Sequence, residues 1–194
     1  MVHWKETVNG GKDLNMSKNV LVISTSLRKN SNSDALAAAF ARGAKEAGHE
    51  TEHISLIGKA IGFCQGCFAC QKTLRCVIHD DADAVAQKML TADVLVFATP
   101  IYYYEMSGQM KTMLDRANPL FPADYAFRDV YLLATAAEEE ETAMDGALKG
   151  MEGWIECFPK ARLAGTVFGG GVTEPGDIKD HPSLLKAKEM GKHI

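Results

Sequence analysis

Residues 24–33 concentrate hydroxyl, amide and cationic side chains in one short polar segment. The segment follows an apolar run at residues 20–23, which is typical of a strand buried in a parallel sheet. An alanine-rich helical pattern begins directly after it, at residue 33. This order surrounds one point with hydroxyl donors, backbone N–H groups and the positive end of a helix dipole, which suits a phosphate group. A polar loop that only caps the helix is the simpler alternative.

The same segment indicates which phosphate is expected. The chain contains neither the GxxxxGK[ST] motif of nucleoside triphosphate sites nor the GxGxxG motif of dinucleotide sites. A hydroxyl-rich loop suits a phosphomonoester, whose dianion needs several donors, and we therefore expect a mononucleotide such as FMN. The candidate cofactor-binding residues here are Ser24, Ser26, Arg28, Ser31, Asn32 and Ser33.

A second candidate loop begins after the apolar run at residues 93–98 and contains three consecutive tyrosines. Tyrosine suits a site that is apolar on one side and wet on the other, so a planar heteroaromatic ligand would explain the run. A packing cluster or a dimer contact is the alternative. The candidate cofactor-binding residues of this loop are Pro100, Ile101, Tyr102 and Tyr103. A glycine-rich segment at residues 169–177 is interpreted either as a pocket wall or as a connector.

Four cysteines lie within thirteen residues, with the spacing C-x2-C-x2-C-x5-C. Many bacterial [4Fe–4S] clusters are held by a run that begins in this way. The candidate metal ligands are Cys64, Cys67, Cys70 and Cys76. A zinc site more often uses two separated knuckles, and free thiols are the alternative to any metal. Cys157 lies in a predicted helix and is expected to be a core residue.

The elements that position these loops alternate between strands and helices. Five short apolar strands, the third at residues 93–98, are each followed by a helical pattern, the fourth at residues 142–158. This alternation predicts an α/β protein whose parallel sheet is covered on both faces. Ligands of such sheets bind outside the carboxyl ends of the strands, where the strand order reverses. The polar segment after the first strand is expected at that place.

Composition excludes several classes of function. A chain of 194 residues with a net charge of −4 gives no basic surface for nucleic acid or an anionic membrane. No apolar run approaches the ~20 residues that span a bilayer. Cysteines without an export signal predict reduced thiols in the cytoplasm. We expect a flexible N-terminal extension over residues 1–17 and a single domain over residues 18–194.

Taken together, these motifs resemble the flavodoxin-like NAD(P)H-dependent FMN reductase family and its iron–sulfur flavoprotein branch. Residues 25–33, TSLRKNSNS, lie over the family's GSPRxxGNT, with Thr25 and Ser31 in place of glycines. The family's PxY and SGxxKxxxDR match Pro100, Tyr102, Ser107, Gly108, Lys111, Asp115 and Arg116. The resemblance implies a three-layer α/β/α fold with strand order 2-1-3-4-5, bound FMN, hydride transfer from a nicotinamide, and a homodimer or a dimer of dimers.

The expected function is an FMN-dependent oxidoreductase that takes hydride from NAD(P)H. Its electrons would pass to a quinone, a flavin or another small-molecule or protein acceptor. No side chain is predicted as a catalytic acid or base, because the flavin supplies the chemistry. The alternatives are a non-enzymatic electron carrier, either a flavodoxin or an iron–sulfur flavoprotein, and a redox or metal sensor that uses the cysteines.

Overall fold

The computed structural model describes residues 17–194, which form a parallel sheet with helices on both faces. The strands are β1 Asn19–Ser24, β2 Glu50–Ser55, β3 Val94–Tyr102, β4 Glu105–Met106, β5 Asp129–Thr135 and β6 Arg162–Gly169. The helices are α1 Asn32–Glu46, α2 Cys70–Thr73, α3 Asp81–Thr91, α4 Gly108–Arg116, α5 Asp145–Glu156 and α6 Pro182–Lys192. Short 3-10 helices cover Asn118–Leu120 and Glu141–Met144.

The parallel strands lie in the order β2-β1-β3-β5-β6, and β4 pairs antiparallel with the end of β3. Counting only the parallel strands, this is the order 2-1-3-4-5 that the resemblance implied, and that prediction is confirmed. The order reverses between β1 and β3, so the loops after these two strands lie side by side.

The strands consist of continuous runs of apolar residues because both faces of the sheet are buried. Leu21 and Ile23 of β1 enter one core, which α3, α4 and α5 cover. Val20 and Val22 enter the other core, beneath α1 and α6. Alternating residues of one strand therefore serve two cores, as expected for an interior strand of a doubly covered sheet.

Two elements differ from the sequence-based expectation. The third strand was predicted to end at residue 98, but β3 continues to Tyr102 and turns back through β4. The tyrosines interrupt the apolar pattern, so the pattern alone does not reveal this hairpin. The fourth helix was predicted over residues 142–158, whereas a 3-10 helix precedes α5, which ends at Glu156.

The predicted flexible extension, residues 1–17, lies outside the described residues except for its last position. None of the helices in residues 17–194 has the length and apolar character needed to cross a membrane.

Candidate functional site

A pocket of 190 Å³ lies at the carboxyl edge of the sheet, where the strand order reverses. Eight of the ten predicted cofactor-binding residues line it. From the loop after β1 come Ser26, Arg28, Ser31, Asn32 and Ser33. From the end of β3 come Pro100, Ile101 and Tyr102. The fold therefore brings together two polar segments that lie about seventy residues apart in the sequence.

The first of these loops ends in the N-terminus of α1. Ser31 is the N-cap, and its Oγ accepts a hydrogen bond of 3.2 Å from the N–H of Asp34. Ser33, the second residue of α1, is fully buried, and within residues 17–194 its Oγ has no hydrogen-bond partner. A buried hydroxyl without a partner is costly. Ser33 is therefore a donor that a bound anion can use, next to the positive end of the helix.

Buried hydroxyls connect the first loop to the second. Thr25 Oγ1 donates to the carbonyl oxygen of Ala98 at 3.0 Å and lies 3.1 Å from Ser107 Oγ. Thr99 Oγ1 donates to the same Ser107 Oγ at 3.2 Å and accepts from the Ser107 N–H at 3.0 Å. Ser107 is the N-cap of α4. The relative position of the two loops is therefore fixed by a shared network rather than by the pocket's contents.

The loop after β6 forms a wall of the pocket through Val172, Thr173 and Pro175. Arg28 holds this loop, since its Nη1 donates to the Thr173 carbonyl at 2.7 Å and its Nη2 lies 3.1 Å from Glu174 Oε2. The glycine-rich segment is thus a wall, the first of its two interpretations.

Asn32 binds the same loop with both atoms of its amide. Its Nδ2 donates to the Glu174 carbonyl at 3.0 Å, and its Oδ1 accepts from the N–H groups of Gly176 and Ile178 at 3.1 and 3.3 Å. Two residues predicted to bind cofactor, Arg28 and Asn32, therefore also assemble the pocket.

Two predicted residues lie outside the pocket lining. Ser24 is fully buried at the end of β1. Tyr103 is fully exposed, with a relative accessibility of 101%. Tyr103 and Tyr104 form the two-residue turn between β3 and β4, and both have left-handed backbones, with φ of 51° and 63°. Sequence reasoning missed Thr135 and Ala137, which line the pocket at and after the end of β5. Their position after a buried strand was the only available signal.

The four clustered cysteines lie between β2 and α3, and none of them forms a disulfide. Cys64 and Cys67 are exposed, Cys76 is half-buried and Cys70 is buried. Within residues 17–194, no three His, Cys, Asp or Glu side chains converge as a metal site. As a donor set, four reduced thiols on one loop nevertheless have the chemistry that an iron–sulfur cluster needs.

The sulfur atoms of this loop already accept hydrogen bonds. Cys70 Sγ accepts from Asn118 Nδ2 at 3.1 Å. Cys64 Sγ and Cys76 Sγ each accept a backbone N–H at 3.5 Å, from Gly66 and Ile78 respectively. Such N–H···S contacts are among the features that tune iron–sulfur sites.

A buried ion pair joins the end of α4 to the chain that follows the cysteine loop. Arg116 binds Asp80 through two hydrogen bonds of 2.7 and 2.8 Å, and the Arg116 side chain is fully buried. Burial raises the pKa of Asp80, but hydrogen bonds from Arg116 and from the Gly62 and Ala82 N–H groups outweigh it and hold that pKa below its usual range. Burial lowers the pKa of Arg116, whereas Asp80 and the neighbouring Cys76 thiol raise it, with a net increase.

Cys157 is not a core residue, so that prediction was wrong. It is exposed just after α5 and lines a groove with Cys64, Phe68 and Trp154. The helical pattern of the sequence does not show that the Cys157 side chain points outward at the end of the helix.

A larger groove of 450 Å³ lies at the opposite edge of the sheet, around the first residues of β1 and β2. It contains a surface ion pair between Lys88 and Glu52 at 2.7 Å. Because parallel sheets bind ligands at the carboxyl ends of their strands, the smaller pocket is the candidate functional site.

The fold is doubly wound and flavodoxin-like, and its candidate ligand site lies at the reversal of the strand order. Residues 18–158 match the family model for NADPH-dependent FMN reductases. The chain belongs to this family, and it is an oxidoreductase of the FMN reductase type.

Individual relatives agree with this assignment. The chain is 38% identical over 185 residues to an iron-sulfur flavoprotein of Methanocaldococcus jannaschii, covering 90% of this chain and 94% of that protein. It is 27% identical over 173 residues to an iron-sulfur flavoprotein of Methanosarcina thermophila, covering 89% and 91%. The fold resembles that of an NAD(P)H:quinone oxidoreductase from Methanothermobacter marburgensis, with a TM-score of 0.71, 19% identity, and coverage of 91% of this chain and 96% of that one.

Proposed function

We propose that this protein binds FMN in the 190 Å³ pocket, takes hydride from NAD(P)H and passes the electrons to a quinone, a flavin or another acceptor. The observation that carries the proposal is the buried Ser33 hydroxyl at the N-terminus of α1, which lines that pocket and has no hydrogen-bond partner among residues 17–194. Membership of the family supports FMN and the nicotinamide donor.

The residues present suit the phosphate of FMN. Ser26, Ser31 and Ser33 offer hydroxyls around one helix N-terminus, and Arg28 brings a cation to the rim. Charge-assisted hydrogen bonds to a phosphate are stronger than those to a neutral acceptor. When bound, FMN supplies the hydride chemistry, and the protein supplies its orientation and its electrostatic surroundings.

The end of β3 suits the flavin ring. Pro100 and Ile101 are half-buried and Tyr102 is exposed, so this strand presents an apolar surface that ends in a phenol. These residues would orient a planar ring and exclude water from one side of it. We assign no catalytic acid or base, because hydride transfer to a flavin needs none from the protein.

The cysteine loop supports a second cofactor, and we propose that it holds a [4Fe–4S] cluster. The support comes from four reduced thiols on one loop and from the similarity to two iron-sulfur flavoproteins. Because no three of these side chains converge within residues 17–194, the four thiols would have to come together when the cluster assembles. Such a cluster carries single electrons. Iron and sulfide analysis of protein reconstituted without oxygen tests this proposal directly.

The FMN proposal is tested by comparing two ligands that differ only in the phosphate. Ser26→Ala combined with Ser33→Ala should weaken FMN binding about a hundredfold or more, because each hydrogen bond to a charged group is worth about 1.5–3 kcal/mol and two are removed. Riboflavin binding, which involves no phosphate, should be unchanged. Flavin fluorescence titration measures both affinities.

Ser55→Ala is the matched control, because Ser55 ends β2 and is not part of the pocket lining. It should leave both affinities at the wild-type value. Equal losses of FMN and riboflavin affinity in the double variant, or no loss at all, would contradict the proposed phosphate site.

The exposed cysteine loop also favours a second candidate, an electron carrier that serves another redox enzyme. Rapid anaerobic mixing with NADH and with NADPH separates the two functions. In an oxidoreductase the nicotinamide reduces the bound flavin, and the flavin absorbance falls during the experiment. In a carrier the flavin stays oxidised. The cytoplasmic location expected from the cysteines remains a prediction.

We also propose that the chain assembles as a homodimer or a dimer of dimers. Large aromatic side chains lie exposed near the pocket and on the cysteine loop, including Tyr103, Tyr104 and Phe63. Exposed apolar surface of this kind often marks a protein contact. Sedimentation equilibrium of the FMN-loaded protein tests the assembly, and a monomer at every concentration would contradict it.

A further inference from the structure

The last residues of α4 lie directly beneath the cysteine loop and contact it at several points. Arg116 Nη1 donates to the Gly62 carbonyl at 2.7 Å and to Asp80, and Nη2 donates to the Ile78 carbonyl at 2.9 Å and to Asp80. Gly62 precedes the first clustered cysteine, and Ile78 follows the last one. One buried guanidinium therefore holds both ends of the loop.

One N–H donor of the Arg116 guanidinium is not used by the contacts described above. A guanidinium carries five N–H donors, and the four on Nη1 and Nη2 are used by Asp80 and the two carbonyls. Within residues 17–194, the buried Nε–H has no hydrogen-bond partner. The Cys76 side chain lies beside the same guanidinium. Nε–H is therefore the donor left for the Cys76 sulfur.

A neighbouring residue makes the same kind of contact with another cysteine. Asn118, two positions after Arg116, donates from Nδ2 to Cys70 Sγ at 3.1 Å. This distance is short for an N–H···S contact. The segment at the end of α4 thus donates one side-chain N–H to the Cys70 sulfur and brings the remaining Nε–H of Arg116 near Cys76.

We propose that Arg116 and Asn118 are positioning residues that donate N–H groups to the sulfurs of Cys76 and Cys70, fix these two thiolates, and raise the reduction potential of the metal cluster that they hold. The inference rests on the cluster proposed above. A cluster gains one negative charge when it takes up one electron, so donors to its sulfur ligands stabilise the reduced form more than the oxidised form.

The test compares variants that remove each donor in the holoprotein. Arg116→Lys keeps the positive charge but removes the planar fork and its Nε–H. Asn118→Leu keeps the approximate shape and removes the donating amide. Each variant should make the cluster harder to reduce by about tenfold in the equilibrium constant, which is about 59 mV for one electron. A potentiometric titration followed by electron paramagnetic resonance measures this shift.

Lys149→Gln is the charge control, because it removes one exposed cation from α5. Its potential should equal that of the wild type. A wild-type potential in both Arg116→Lys and Asn118→Leu would overturn the proposal. If Arg116→Lys does not fold, Asn118→Leu decides the question, since Asn118 is not part of the buried ion pair.

A second measurement needs no cluster. In the cluster-free protein with FMN bound, the buried Cys70 thiol should react more than threefold faster with a thiol reagent in Asn118→Leu than in the wild type, as read by mass spectrometry of the labelled peptide. An unchanged rate would overturn the positioning role of Asn118. If wild-type protein takes up no iron, the cluster proposal itself fails, and this labelling rate still decides whether Asn118 holds the thiol in place.

Discussion

Gly146, in the first turn of α5, lies against the carbonyl oxygen of Tyr104 at the tip of the β3–β4 hairpin, and there is no space for a Cβ between them. The helix therefore supports the backbone of the turn that borders the candidate pocket. Glycine is needed at position 146 because of this close approach.

Gly146→Ala should push the hairpin away from α5. We expect a loss of about 1–3 kcal/mol in the free energy of unfolding, the usual cost of overpacking, together with slower NAD(P)H oxidation. Gly153→Ala on the same helix is the control, since within the described residues no atom lies within 4 Å of the Cβ it would add. That control should gain about 0.5–1 kcal/mol, because alanine favours a helix interior. Urea unfolding measures both, and equal effects would contradict the close contact.

The turn formed by Tyr103 and Tyr104 should be less stable than a standard one. Two-residue hairpin turns of this kind prefer Asn-Gly, because both residues have positive φ. A left-handed backbone costs a residue other than glycine about 1–2 kcal/mol. Tyr103→Asn with Tyr104→Gly should therefore raise the free energy of unfolding by about 1–3 kcal/mol across the two positions.

The same double variant should slow turnover with a quinone acceptor if the strained, exposed tyrosines serve binding. Strained residues persist where function selects them. The measurement is the rate of NAD(P)H oxidation with and without the quinone. A variant that is both more stable and fully active would show that the tyrosines have no part in the reaction.

Asn32→Ala should loosen the loop after β6. The change leaves the N–H groups of Gly176 and Ile178 without their acceptor, at a cost of about 1–3 kcal/mol for buried groups. FMN affinity should fall as well, because that loop is a wall of the pocket. Hydrogen exchange over residues 173–178 and FMN titration measure the two effects. Asn19→Ala, exposed at the opposite edge of the sheet, should change neither.

Asp80 should give the protein part of its acid sensitivity. Its pKa is depressed in the folded state, so its contribution to stability is present above the ordinary aspartate pKa of about 3.9. That contribution is lost as the pH falls through the lower folded value. Urea unfolding midpoints from about pH 7 to about pH 3 should therefore fall less steeply in Asp80→Asn than in the wild type.

At neutral pH, Asp80→Asn should lose about 3–5 kcal/mol, since it leaves the buried Arg116 without its carboxylate. Asp115→Asn breaks the exposed pair with Lys111 and should cost no more than about 1 kcal/mol. Equal costs for the two variants would contradict a special role for the buried pair.

The fold and most of the pocket could be predicted because their signals are local. The run at residues 20–23 predicted a buried strand of the parallel sheet, and the loops after β1 and β3 had to share one edge of the sheet. For that reason eight of the ten candidate residues line one pocket.

The remaining features depend on contacts that no local pattern specifies. Arg28 and Asn32 reach a loop more than 140 positions away. The hairpin at Tyr103 uses residues that rarely adopt positive φ, so its sequence does not resemble a turn. The Asp-Arg pair at 115 and 116 matched a motif, but only the folded chain shows that Arg116 binds Asp80 rather than its sequence neighbour.

Both ends of the cysteine loop are anchored to the same side chain, that of Arg116. Gly62 and Ile78 are pinned to one guanidinium, and most of the side chains between them point into solvent rather than into either core. The segment between them is therefore held at its two ends and contributes little to the cores. A segment of different length or composition grafted between those points would leave the 190 Å³ pocket with its shape, because Arg116 holds the two attachment points in place.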